Sequence, residues 1–185
     1  MKILKGLTLI EVLVTLVITS IGLMGLVSLQ MQALKATQDT GNRSQAMWVF
    51  NDLVNRIRAN ETASASYITN GVVDCGAQPA TVCSNYHDGN AAANAVNCTT
   101  AQLAAWDVFE VACGAPRTVS VRGNPIADLP GAALNITCLN AGCGNGDPLV
   151  VTLTWRARTD INEITGNAQR NANANMLTIS ETITP

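Results

Sequence analysis

The chain has 185 residues, of which 48% are hydrophobic and 13% charged, with a net charge of -2. That balance excludes a charged disordered tail and a basic nucleic-acid binder, and the length suits one modest domain plus an accessory segment. The apolar residues are unevenly placed: no residue from Val12 to Leu29 is charged, while the chain after Lys35 is polar enough for water.

The chain opens MKILKGLTLIEVLVTLVITSIGLMGLVSLQ. As a helix, Val12 to Leu29 rises about 27 Å, close to the hydrocarbon thickness of a bilayer. Lys2 and Lys5 precede the run, and cationic flanks stay on the cytoplasmic side, so the remainder of the chain is expected outside. A secretory signal would end in a small-residue cleavage site just after the apolar core. Here the run continues through Gly22, Gly25 and Ser28 into a long helical pattern. Glu11 stands at its start, and no other charge follows until Lys35. An ionised carboxylate deep in a membrane helix costs about 3 kcal/mol and usually marks a partner. Close to the helix start it would instead reach headgroups and the favourable end of the helix dipole.

Lys5-Gly6-Leu7-Thr8-Leu9-Ile10-Glu11-Val12 resembles the class III signal of type IV pilins and type II secretion pseudopilins. The resemblance implies cleavage between Gly6 and Leu7 by a prepilin peptidase, methylation of the new amine on Leu7, and retention of the apolar stretch. Glu11 falls at the family's acidic position; Leu7 stands where phenylalanine is commoner. In a fibre of packed helices Glu11 would be buried and would need a cation, and the Leu7 amine, on its own or a neighbouring chain, is the nearest one. The implied organisation is a leader over residues 1–6, a membrane-spanning and filament-core half-helix over 7–34, an amphipathic half over 35–60, and a disulfide-containing periplasmic α+β head over 61–185.

No proline occurs before Pro79, so Leu7 to about Asn60 is expected as one helix roughly 80 Å long. Its second half is amphipathic: Ala46, Val49, Phe50, Leu53 and Ile57 recur at helical spacing, with Arg43, Asn51, Asn55 and Arg58 largely on other faces. Gly22, Gly25 and Ser28 leave two expectations open, local unwinding or a small-residue helix contact. Residues 63–97 are rich in Ala, Asn, Gly and Ser without a sustained period, and read as a long connection in need of tethering. Thr99 and Gln102 fit a capping box, followed by Leu103, Trp106, Phe109 or Glu110, and Cys113 at helical spacing, which predicts a short helix ending at Gly114. The period then changes to two. Strands are expected at Thr118–Arg122, Leu134–Leu139, Leu149–Arg158 and Met176–Ile183, with Val151, Leu153 and Trp155 facing the helix stripe.

All six cysteines, Cys75, Cys83, Cys98, Cys113, Cys138 and Cys143, lie in the exported part, where an even set reads as disulfides. Sequence leaves their connectivity open; proximity favours Cys138 with Cys143 and Cys75 with Cys83, leaving Cys98 with Cys113. A metal is not expected: zinc pairs are usually separated by two to four residues, and neither the four-residue gap of Cys138/Cys143 nor His87, the only histidine, makes a convincing second half. No cofactor and no catalytic residue is expected either: there is no phosphate loop, GxSxG elbow or HExxH, and Asp160 and Glu163 read as solvated strand-end residues. The N-x-S/T matches at Asn42, Asn60, Asn97 and Asn135 read as incidental.

The head extends the resemblance. Cys98 to Asp107, then Ala127-Asp128-Leu129-Pro130-Gly131, then Val151 to Arg156 look like the heads of PilV-type minor pilins, with a helix, a leucine-proline-glycine turn and a strand ending in tryptophan. This implies the type IV pilin fold, a long N-terminal α-helix packed on a C-terminal antiparallel β-sheet head. It also implies a structural role in priming assembly and forming the tip of a type IV pilus. Implied partners are other minor pilins, the major pilin, a tip adhesin, the prepilin peptidase and the inner-membrane assembly platform, with no nucleic acid. Implied locations are the bacterial inner membrane before assembly and the pilus tip after it. A type II secretion pseudopilin is the alternative, since the same helix serves both machines.

Overall fold

The computed structural model describes residues 8–69, 71–73, 75–76, 78–87, 91–114, 126, 129–157 and 176–185. Helix α1, Leu9–Ala59, runs unbroken for 51 residues, about 77 Å. It passes through Gly22 and Gly25 without unwinding, since nothing in the sequence removes a backbone donor there. Only its second half is covered: Ala46, Val49, Phe50, Leu53, Val54 and Ile57 are buried, in the stripe that the helical spacing predicts. At its end the Asn60 N–H bonds back to the Arg56 and Ile57 carbonyls, both at 3.2 Å.

The 63–97 connection is less shapeless than its composition implies. A 3₁₀ helix, Glu61–Tyr67, follows α1 directly and buries Ala63, Ser64 and Tyr67. Farther on, β1 (Tyr86–His87) and β2 (Ala92–Ala93) pair antiparallel. Helix α2, Thr100–Cys113, begins at Thr99 with the predicted capping box formed in both directions and ends at Gly114, whose φ of 72° suits glycine. Trp106, Phe109 and Cys113 are buried, while Leu103 is exposed.

Three strands form one antiparallel sheet in the order β3 (Ala133–Cys138), β4 (Leu149–Arg156), β5 (Met176–Ile183). The register places Ile136 opposite Val151 and Leu153 opposite Ile179, so β4 presents Leu149, Val151, Leu153 and Trp155 to one side. All four are buried and join the α1 stripe, α2, Leu134 and Ile136 in a single core. Alternation of period two is the cause: a strand with one covered face must bury every second residue. Before β3, Leu129-Pro130-Gly131 turns with Gly131 at φ 59°, and the Pro130 carbonyl accepts the Arg156 N–H at 2.7 Å, which ties the turn to the end of β4. Ala127, Asp128 and the expected strand Thr118–Arg122 lie outside the described residues, as does Arg158.

The disulfides are Cys75–Cys113, Cys83–Cys98 and Cys138–Cys143. Proximity along the chain gives the last pair and misassigns the other four cysteines. The reason is tertiary: α2 turns back along α1, carrying Cys113 to Cys75 at its far end and leaving Cys98, just ahead of the helix, for Cys83. The first bridge spans 38 residues and the second 15, so the long connection is pinned at both ends of α2.

Candidate assembly site

From Leu9 to Leu34 the large apolar side chains of α1 are exposed, Leu9 at 84% and Met24 at 76%. This is the one helix among the described residues that is long and apolar enough to cross a membrane. Its hydroxyls are adapted to an apolar solvent. Thr15 Oγ1 donates to the Val12 carbonyl at 2.8 Å, Thr19 Oγ1 to Thr15 at 2.8 Å, and Ser20 Oγ to Leu16 at 2.7 Å. These three hydroxyls are thereby satisfied within the helix, as a hydrocarbon surrounding requires.

Glu11 sits in the first turn of α1, and its N–H bonds to the carbonyl of the N-cap residue Thr8 at 3.1 Å. The helix start thus places a carboxylate where unpaired N–H groups and the dipole favour negative charge. Gly6 and Leu7 lie outside the described residues.

A second polar arrangement fixes the head to the helix, and the sequence reading missed it. Arg56, on the flank of the buried stripe, donates from Nε to Asp52 at 3.0 Å, and from Nη1 to Asp107 at 2.9 Å and Glu110 at 2.8 Å. Tyr67 places its hydroxyl 2.7 Å from the other Asp107 oxygen, while Asn60 Nδ2 donates to the Thr100 carbonyl at 2.8 Å. Ser84 donates to Glu110 at 3.2 Å and accepts from the Trp106 indole at 2.8 Å. Asn60 meets the start of α2 and Arg56 its middle, so α2 runs back along α1. Burial alone would disfavour the Arg56 charge, but hydrogen bonds to Glu110 and Asp107 outweigh it and hold the guanidinium above its ordinary pKa. Burial, reinforced by Asp107, likewise pushes the Tyr67 phenol above its ordinary value. The available signal was the Asp107/Glu110 pair, one helical turn apart, beside Trp106 and Phe109.

Among the described residues, the other candidate positions do not converge on a reactive centre. His87 is exposed on β1, and Asp160 and Glu163 lie outside the described residues. Sulfurs of Cys138 and Cys143 and an Asp147 oxygen fall within 4.8 Å of one another. The two sulfurs are bonded together, however, and Asp147 Oδ2 accepts the Gly144 N–H at 2.7 Å, so the group closes a turn.

Two sequence families match contiguous parts of the chain. Residues 1–27 match the prokaryotic N-terminal methylation motif, and residues 28–109 match the family described as type IV pilin Tt1218. No curated protein and no solved structure matches it.

Proposed function

From the premise that the chain belongs to the type IV pilin family and carries its N-terminal methylation motif, we propose that it is a PilV-type minor pilin that helps prime assembly and form the tip of a type IV pilus. The family is structural rather than enzymatic, and its members assemble with other pilins and the pilus machinery. In this reading residues 1–6 are removed between Gly6 and Leu7, Leu7 is N-methylated, and the apolar half of α1 holds the protein in the inner membrane with the head in the periplasm. On assembly the same half exchanges lipid for neighbouring helices. Glu11 then pairs with a Leu7 amine, and the pairing sets the axial register of one subunit against the next.

One observation carries this reading: an unbroken helix whose first half is wholly uncovered and whose first turn bears Glu11, within the N-terminal methylation motif. The minor-pilin assignment draws on the head. Its last bridge, Cys138–Cys143, closes the β3–β4 hairpin, and β4 and β5 follow it. Major pilins, by contrast, tend to close a C-terminal loop with a late disulfide.

Deleting the gene and measuring surface pili alongside exoprotein release tests the role. The expected result is fewer pili with exoprotein release intact. Lost exoprotein release with normal pili would reject the pilus role in favour of a secretion pseudopilin.

A further inference from the structure

One edge of the sheet is only partly closed. Along an antiparallel strand, successive residues turn their main-chain groups alternately toward and away from the partner. On β3 the Ile136 groups point away from β4: the carbonyl accepts the Thr69 N–H at 3.0 Å, and the N–H donates to Thr69 Oγ1 at 2.9 Å. Leu134, two residues earlier and opposite Leu153, therefore directs its N–H and C=O to the same outer edge. There the pairing has stopped. The chain that leaves Thr69 passes Gly71 at φ 104°, which a pairing strand does not adopt. Among the described residues the two Leu134 groups have no hydrogen-bond partner. Leu134 is buried, so they are also largely withheld from bulk water, a costly state for main-chain groups.

Beside this edge lies an open groove of about 300 Å³. Its walls are apolar, with Val72, Val73, Ala112, Ile126, Leu129 and Leu134 among the lining residues, and Val72 is 71% exposed. Gly131 also lines the groove, and Arg156 lies over it: a Cβ built on Gly131 would meet Arg156 Nε at 3.9 Å and Cζ at 4.0 Å. Arg156 is exposed and, among the described residues, forms no ion pair. An unpaired main-chain donor and acceptor, apolar walls and an unneutralised guanidinium thus meet at one place.

These features select the occupant. A donor and an acceptor on one residue of an edge strand are satisfied by the C=O and N–H of an extended chain, whereas the main chain of a helix is bonded within itself. The apolar walls take an apolar side chain, and the guanidinium takes a carboxylate. Arg156 follows the buried Trp155 on β4 and so points to the opposite face of the sheet. The carboxylate therefore comes from the residue adjacent to the apolar one, whose side chain turns to that face. We infer that the groove binds an extended segment of a partner protein, which pairs with Leu134 on the outer edge of β3, seats an apolar side chain against Val73 and Leu129, and presents a neighbouring Asp or Glu to Arg156. Thr69 already occupies the edge at Ile136, so the added strand is short. The site belongs to the head alone and holds whether or not the chain enters a pilus.

The test exposes the full-length chain in detergent micelles to a phage-displayed library of random heptapeptides. Enriched sequences are expected to carry Leu, Ile, Val or Met next to Asp or Glu. In the free chain the Leu134 amide should exchange its hydrogen faster than those of Asn135 and Thr137, and a synthetic peptide of the leading sequence, capped at both ends, should slow it by about tenfold. Arg156→Glu is expected to weaken that peptide by about tenfold with urea unfolding of the head unchanged. The same loss should follow when the acidic residue of the peptide is replaced by Lys and the chain is left untouched. A library without enrichment, a bound peptide that leaves Leu134 exchange unchanged, or one that binds equally well with its acidic residue reversed would overturn the inference.

Discussion

Replacing Asp107 with alanine examines the joint between head and helix. Its side chain is 9% exposed and accepts from Arg56 at 2.9 Å, with the Tyr67 hydroxyl at 2.7 Å. Two hydrogen bonds are lost. A charge-assisted one contributes about 1.5–3 kcal/mol where it is buried. Arg56 keeps Asp52 and Glu110 and is 31% exposed, so solvent and the remaining carboxylates take up part of that loss. The Tyr67 hydroxyl can turn to the Arg56 carbonyl at 3.2 Å, a weaker acceptor. These offsets bring the expected cost of Asp107→Ala to about 2–3 kcal/mol. Asp52→Ala, whose carboxylate is 38% exposed, should cost only about 0.5 kcal/mol. None of residues 8–34 is buried, so urea unfolding can be followed on a chain starting at Lys35 without removing any core residue. A double-mutant cycle with Tyr67→Phe should give a coupling of about 1 kcal/mol. An Asp107→Ala variant within about 0.5 kcal/mol of the parent, or additive behaviour in the cycle, would refute the claim that this cluster holds α2 against α1.

Three further outcomes follow from the same geometry. The chain has two tyrosines, so Tyr86→Phe leaves Tyr67 as the only phenol, and its absorbance titration in the folded head should have a midpoint above the ordinary 10.0. Because the folded pKa is raised, the stability contributed by that proton is intact below pH 10 and is lost as pH rises beyond it; a midpoint at or below the ordinary value would contradict the buried contact. Loop-closure entropy ranks the bridges: serine pairs replacing Cys75–Cys113, Cys83–Cys98 and Cys138–Cys143 should cost about 4, 3 and 2 kcal/mol in urea unfolding, and a reversed order would show that native packing outweighs chain entropy here. Glu11→Ala should reduce incorporation into sheared pili and leave head unfolding unchanged, because Glu11 touches nothing in the head; normal incorporation would remove its register role.

Much of the fold could be read from periodicity and end signals. The α1 stripe, the capping box at Thr99, the stop at Gly114 and the buried face of β4 each follow from local rules that tertiary structure does not override. Strand ends moved by a residue or two: β3 begins at Ala133 rather than Leu134, and β4 ends at Arg156 rather than Arg158. The processing motif was legible because its residues are adjacent in sequence. Features made by distant residues were not. Cysteine pairing depends on α2 folding back along α1, which no spacing between cysteines encodes. Arg56, Asp107 and Tyr67 each resemble ordinary surface residues when taken singly, and only their convergence makes a buried cluster.

In the role proposed above, the chain enters a fibre after cleavage, with Leu7 as its first residue. Mass spectrometry of the chain's N-terminus, from cells with and without prepilin peptidase, tests it most directly. The expected result is a mature chain starting at N-methylated Leu7 when the peptidase is present and an uncut chain when it is absent. An intact Met1 in both would contradict the claim.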